Sequence, residues 1–138
     1  MAEITSRYAC VSGDGEFLAF GFFTAAEVWK ENNAGTYEKI KSITASSGFF
    51  NCKFSAENTF FFLSAQNPEI YKYDGSTFVS HQNISLTASA GFLSRVVFRN
   101  PYFIYPEKNV DGDVNIKFFE HNPNTDLWEV AHQRAYPG

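Results

Sequence analysis

Short apolar segments alternate with polar turns along the whole chain. Turn signals such as the Gly-Asp-Gly run at 13–15 separate the segments, and Asp-Gly pairs provide the positive φ that two-residue hairpins require. No segment shows the 3.6-residue period of an amphipathic helix. The pattern predicts strands, and the first four lie at residues 8–12, 16–22, 27–31 and 36–43.

Eight further segments of the same kind follow. Asp74 and Gly75 form one tight turn between them, and Pro101 ends a strand because proline cannot donate to a ladder. The chain is therefore predicted to be all-β. The eight segments are residues 50–55, 59–64, 69–73, 77–84, 93–99, 102–105, 114–120 and 127–132.

The segments recur as a repeat. Residues 42–50 return 43 positions later as residues 85–93, and Trp29 has its counterpart in Tyr71, 42 positions on. A looser third copy contains residues 114–119. A period of about 43 residues is that of a four-stranded propeller blade. One propeller segment, 1–138, is thus predicted to contain three blades, at 8–43, 50–86 and 93–133.

The repeats resemble the WD40-like family of β-propellers. Residues 11–19 and 54–60 each give an apolar strand that ends near Ser, followed by a polar turn and an aromatic strand. Trp29 and Tyr71 stand where that family has its Trp-Asp dipeptide, and residues 111–116 resemble the turn that leads into it. No Gly-His pair is present and no Asp follows the aromatic residue. The resemblance therefore implies divergent blades that lack the Asp–His network of the family.

Three blades do not close a ring, because closed propellers carry at least four. An end blade would leave an apolar sheet exposed, which is rare on soluble monomers. Two copies could close a six-bladed ring with two-fold symmetry, and this homodimer is the first expectation. The alternatives are a larger propeller that contains this segment, and a head-to-tail filament.

Composition narrows the partners. The chain has 138 residues, a net charge of -4 and 18% aromatic residues, with no basic stripe to neutralise phosphates, so no nucleic-acid partner is expected. The longest apolar run, 17–23, is too short for a membrane helix, so no membrane partner is expected either. The start of the chain lacks the pattern of a signal peptide, and only two cysteines are present. A cytoplasmic location is therefore predicted.

Metal and cofactor sites are not expected. The run of acidic and amide residues at 111–115 is similar to a calcium loop, but Ile116 and Asn122 stand where an EF-hand needs Gly and Glu. None of the three histidines, His81, His121 and His132, lies at a spacing that places two ligands on one element. His81 and His121 are expected on solvated outer parts of blades.

Catalytic residues are not expected either. Cys10 and Cys52 lie in the first strands of adjacent blades, which diverge, so they are expected to be unpaired and buried. No nucleophile motif is present. Asn83 begins a glycosylation sequon, which matters only in a secreted chain.

The function predicted from these features is a non-enzymatic, protein-binding or scaffolding propeller. Lectin-like or small-ligand binding and a structural filament are the alternatives. Tyr8, Arg95 and Arg99 are the candidates for contacts along the central channel. Trp128 is the candidate binding residue among aromatic side chains that could form a platform for sugars or peptides; the others are Trp29, Tyr37 and Tyr102.

Overall fold

The computed structural model describes residues 8–22, 25–44, 49–65, 69–84, 97–108 and 111–137. Within these ranges the chain forms three four-stranded antiparallel sheets and no helix. None of the described residues therefore belongs to a helix that could cross a membrane. The prediction of an all-β chain built from propeller blades is confirmed.

Each sheet is a simple meander, and each is called a blade below. Blade 1 contains β1 (Tyr8–Val11), β2 (Phe17–Gly21), β3 (Ala25–Glu31) and β4 (Tyr37–Thr44). Blade 2 contains β5 (Phe49–Phe54), β6 (Phe60–Ala65), β7 (Glu69–Tyr73) and β8 (Phe78–Asn83). Blade 3 contains β9 (Val97–Arg99), β10 (Tyr102–Lys108), β11 (Val114–Asn122) and β12 (Leu127–Tyr136).

The turn after the first strand is the same in blades 1 and 2. The Ser12 hydroxyl accepts a hydrogen bond from the Phe17 amide at 2.9 Å, and the Ser55 hydroxyl accepts one from the Phe60 amide at 3.0 Å. Gly15 adopts φ 78°, which an L side chain rarely tolerates. The repeat seen in the sequence is therefore a repeat of turn chemistry as well as of strands.

Blade 2 is packed between blades 1 and 3 and is buried on both faces. Because side chains alternate along a strand, successive residues of β6 contact different neighbouring blades. Phe61 and Leu63 of β6 face blade 1, while Phe60 and Phe62 face blade 3. Phe61 and Phe62 are both fully buried. Aromatic side chains bury the largest apolar areas, so these two interfaces supply most of the packing free energy.

The outer face of blade 3 repeats a face that is buried elsewhere. In blade 2, Phe62 and Ile70 are cross-strand partners and are fully buried against blade 3. Ile104 and Phe118 hold the same register in blade 3 but are only half-buried. Blade 3 thus carries the side chains that a following blade would cover.

Blade 1 shows the complementary face. Phe61 and Tyr71 are cross-strand partners in blade 2 and pack against blade 1. Leu18 and Trp29 occupy the same register in blade 1 and are half-buried. Trp29 is partly exposed because no described blade precedes blade 1.

The expectation that Cys10 and Cys52 are unpaired is wrong, because they form a disulfide. The first strands of blades 1 and 2 approach closely enough to bring the two Cα atoms to 6.2 Å, within the usual range for a disulfide. Closing a loop with a sequence separation of 42 stabilises the folded state by about 4 kcal/mol in the chain-entropy view. Disulfides persist mainly in oxidising compartments, so this disulfide argues against the predicted cytoplasmic location. The location itself stays a prediction.

Self-association is expected, because the outer faces of blades 1 and 3 match the two sides of an interface between blades. Light scattering over a concentration series should give a molar mass near twice 15.6 kDa, the mass of a six-bladed ring of two chains. A mass that rises without limit would indicate the filament instead. A mass of one chain at all concentrations would contradict the closed ring.

Candidate functional site

A cleft of about 190 Å³ lies between blades 2 and 3. One wall is the turn between β5 and β6, and the opposite wall is the turn between β9 and β10 together with the ends of β11 and β12. The repeated Ser turn therefore positions half of the cleft. Its lining side chains come from Ser55, Ala56, Glu57, Thr59, Phe60, Phe98, Asn100, Pro101, Glu120, His121 and Trp128.

Trp128 forms the inner wall of the cleft and is only 5% exposed. The Gln82 side chain holds its backbone from blade 2: the Trp128 amide donates to Gln82 Oε1 at 2.8 Å, and Gln82 Nε2 donates to the Trp128 carbonyl at 2.8 Å. Phe62 packs edge to face on the indole, with ring centroids 5.1 Å apart. Trp128 Nε1 is buried and has no hydrogen-bond partner within the described ranges. Buried donors of this kind are normally hydrogen-bonded in folded proteins.

Asp126 collects three side chains from two blades. It lies in the turn between β11 and β12 with φ 58°. Lys72 Nζ of blade 2 donates to Asp126 Oδ2 at 2.5 Å, and His121 Nε2 lies 2.8 Å from Asp126 Oδ1. His81 Nε2 of blade 2 is 2.5 Å from the Asp126 carbonyl oxygen and 3.7 Å from Oδ2. The carboxylate therefore joins the two blades beside the cleft.

These contacts favour the ionised carboxylate. The hydrogen bond from Lys72 is the largest effect, followed by that of His121, and together they hold the pKa of Asp126 below its ordinary value of 3.8. The carboxylate stays charged throughout the neutral pH range and is thus a constant orienting group for the His121 ring.

The ring of His121 lies at the cleft wall beside Phe60 and Trp128, with centroid distances of 5.0 and 5.5 Å. Because Asp126 engages Nε2, Nδ1 is the nitrogen left to accept or return a proton. A carboxylate that orients an imidazole in this way is the arrangement used for general acid–base catalysis. No cluster of three acidic, histidine or cysteine side chains suited to a metal ion occurs in the described part of the chain.

The predicted binding residues do not form one group. Tyr8 begins β1, and its side chain lies outside the described atoms; Arg95 lies outside the described residues. Arg99 is exposed at the end of β9, next to the cleft residue Asn100. Only Trp128 lines the cleft, and it does so as a largely buried wall and not as an open platform.

The sequence did not indicate the roles of His121 and Asp126. His121 was expected on a solvated surface, yet its side chain is 29% exposed and packs on aromatic rings. The Asp–His network of WD40 blades was expected to be absent, which stays a prediction; Asp126 and His121 form a separate pair outside the WD40 pattern. The repeat did mark the position of Lys72, the partner of Asp126, because Lys72 is the counterpart of Lys30 in blade 1.

Replacing Asp126 with Asn should lower the free energy of unfolding at pH 7 by about 1 kcal/mol, a typical value for partly exposed ion pairs. Because the folded-state pKa of Asp126 is lowered, its contribution is present above the ordinary value of 3.8 and is lost as pH falls through the folded-state pKa. Urea unfolding at pH 7 and at about pH 2 measures the difference. An equal deficit at both pH values would contradict this assignment, and Glu31→Gln, an exposed carboxyl change in blade 1, is the control.

Solved structures with similar folds are β-propellers. A candidate 6-phosphogluconolactonase of Bacteroides fragilis superposes with a TM-score of 0.70 and 15% identity, over 96% of this chain and 39% of that one. A second, from Bacteroides uniformis, gives 0.64 and 15% identity, over 91% of this chain and 40% of that one. The periplasmic gluconolactonase of Pseudomonas aeruginosa gives 0.66 and 12% identity, over 93% and 39%.

No protein-family model matches the sequence, and no curated protein matches it. The chain spans about two-fifths of the length of the first three solved structures. At these identities the likeness shows the fold alone, which is a β-propeller; it does not single out WD40 repeats. The non-enzymatic scaffold expected from the sequence is contradicted, because these three similar propellers carry the names of enzymes.

Proposed function

We propose that this propeller segment hydrolyses the lactone of a sugar acid in the cleft between blades 2 and 3. The observation that carries the proposal is the Asp126–His121 pair at the wall of that cleft, with Oδ1 and Nε2 at 2.8 Å. The names of the similar propellers, two candidate 6-phosphogluconolactonases and a gluconolactonase, support the same reaction class.

The reaction needs one base and one donor. His121 takes a proton from a water molecule as that water attacks the lactone carbonyl carbon, and Asp126 stabilises the imidazolium that forms. The exposed side-chain amide of Asn100, which lines the cleft, donates to the carbonyl oxygen as it gains negative charge. The ring C–O bond then breaks, and His121 returns the proton to the departing ring oxygen. The product is a hydroxy acid, which ionises and releases one proton to the solvent.

The surrounding contacts serve this chemistry by fixing the positions of Asp126, which orients His121, and of Trp128, which packs on the His121 ring. Gln82 fixes the backbone of Trp128 through two hydrogen bonds, and Lys72 fixes the second oxygen of Asp126. Both come from blade 2, whereas His121 and Trp128 come from blade 3. Catalysis would therefore depend on the contact between the two blades.

The finer family assignment and the assembly stay proposals. A WD40-type ancestry rests on the repeat pattern around Trp29 and Tyr71. A second copy that completes a six-bladed ring rests on the matching outer faces of blades 1 and 3. Neither is needed for the reaction, since all of the proposed groups belong to blades 2 and 3 of one chain.

Replacement of His121 with Gln should reduce lactone hydrolysis at least 100-fold, the lower end of what a general base contributes. Proton release from glucono-1,5-lactone and from its 6-phosphate, followed with a pH indicator, measures the rate above spontaneous opening. His132→Gln is the matched control, because His132 is exposed in β12, where its Nε2 lies 3.4 Å from the Tyr102 hydroxyl, and it does not line the cleft.

The proposal fails if the unaltered protein opens neither lactone faster than buffer does. It also fails if His121→Gln and His132→Gln lose activity equally, since that result would separate the activity from the cleft. Thermal unfolding of each variant distinguishes loss of a proton acceptor from loss of fold.

A further inference from the structure

The cleft between blades 2 and 3 is acidic. Glu57 and Glu120 both contribute to its lining, and no Lys or Arg of the described residues does. Lys72 lies close by, with Nζ 5.9 Å from the ring centre of Phe60, but its ammonium is engaged by Asp126. The exposed Arg99 stands between the lining residues Phe98 and Asn100 without lining the cleft itself.

The rest of the lining suits a neutral, hydroxyl-rich ring. Phe98 and Trp128 offer apolar ring surface to the C–H faces of a sugar, while Ser55, Thr59 and Asn100 offer hydroxyl and amide groups to its hydroxyls. Small-molecule sites commonly combine apolar walls with a few polar groups in this way.

From these features we infer that the cleft binds an uncharged polyhydroxy lactone and discriminates against its phosphorylated form. This inference rests on the proposed function. A phosphate ester carries nearly two negative charges at pH 7 and would lie near two carboxylates in a lining to which no described Lys or Arg contributes. The specificity is thus expected to differ from that named for the two Bacteroides propellers, and to follow from charge alone.

The size of the preference follows from the exposure of the two carboxylates. Both Glu57 and Glu120 are exposed to solvent, so their repulsion of a phosphate is screened by water and salt. At low ionic strength the expected preference for the neutral ring is about tenfold, and it should shrink as salt is added.

Equilibrium binding tests the inference without requiring turnover. The chain has two tryptophans, so Trp29→Phe leaves Trp128 as a fluorescent reporter inside the cleft. The probes are 1,5-anhydroglucitol, a stable ring that mimics the lactone, and its 6-phosphate. The neutral probe should quench the fluorescence at about tenfold lower concentration than the phosphate does.

Charge neutralisation identifies the cause. Glu57→Gln and Glu120→Gln, made in the same Trp29→Phe protein, should each improve binding of the 6-phosphate probe. Each change should thereby reduce the preference for the neutral probe about threefold. Glu31→Gln removes the same charge from an exposed site in blade 1 and should leave the preference unchanged.

The outcomes separate this inference from the proposed function. Equal or tighter binding of the phosphate, or no binding of either probe, overturns the inference, whatever the hydrolysis assay shows. Selective binding of the neutral probe without hydrolysis of either lactone supports the ligand class and overturns the reaction. Selective binding together with faster opening of glucono-1,5-lactone than of its 6-phosphate supports both.

Discussion

The middle blade has to bury both of its faces, and most of the structure follows from that constraint. Strand β6 meets it with consecutive large apolar side chains, of which Phe61 faces blade 1 and Phe62 faces blade 3. Because successive side chains of a strand point to opposite faces, such a run is compatible only with a sheet packed between two others. Stacking blades in this way also brings the turn between β5 and β6 beside the turn between β9 and β10, and the cleft is the gap between them.

Aromatic packing and polar contacts have different roles at the interface of blades 2 and 3. Full burial of a Phe side chain contributes about 1.5–3 kcal/mol, whereas a partly exposed ion pair contributes about 0–1 kcal/mol. Phe60 and Phe62 therefore hold the blades together. Gln82 and Asp126 orient the side chains of the site, because their hydrogen bonds fix the positions of Trp128 and His121 relative to the cleft.

The strands were predictable because their signals are local. Alternation of apolar and polar residues, Asp-Gly turns and the 43-residue recurrence all act over short stretches, and the third blade differed mainly in having longer strands, such as β12 at Leu127–Tyr136. The repeat also predicted equivalent turns at Ser12 and Ser55, which the hydrogen bonds confirm. The periodicity of the sequence therefore predicted nearly all of the strands and their grouping into blades.

The candidate site was not predictable for a complementary reason. Lys72 and Asp126 are 54 residues apart, and only the packing of one blade on the next brings them together. The same holds for Cys10 and Cys52, whose strands were expected to diverge and instead approach. His121 carries no motif, since its partner comes five residues later in a turn whose φ of 58° at Asp126 no simple pattern indicates.

The central claim is that Asp126 and His121 act as one unit on a lactone in this cleft. A double-mutant cycle on glucono-1,5-lactone hydrolysis, with His121→Gln, Asp126→Asn and both together, tests it most directly. The account predicts that the double variant loses no more activity than His121→Gln alone, because Asp126 serves the reaction through His121. Independent, multiplying losses would contradict it.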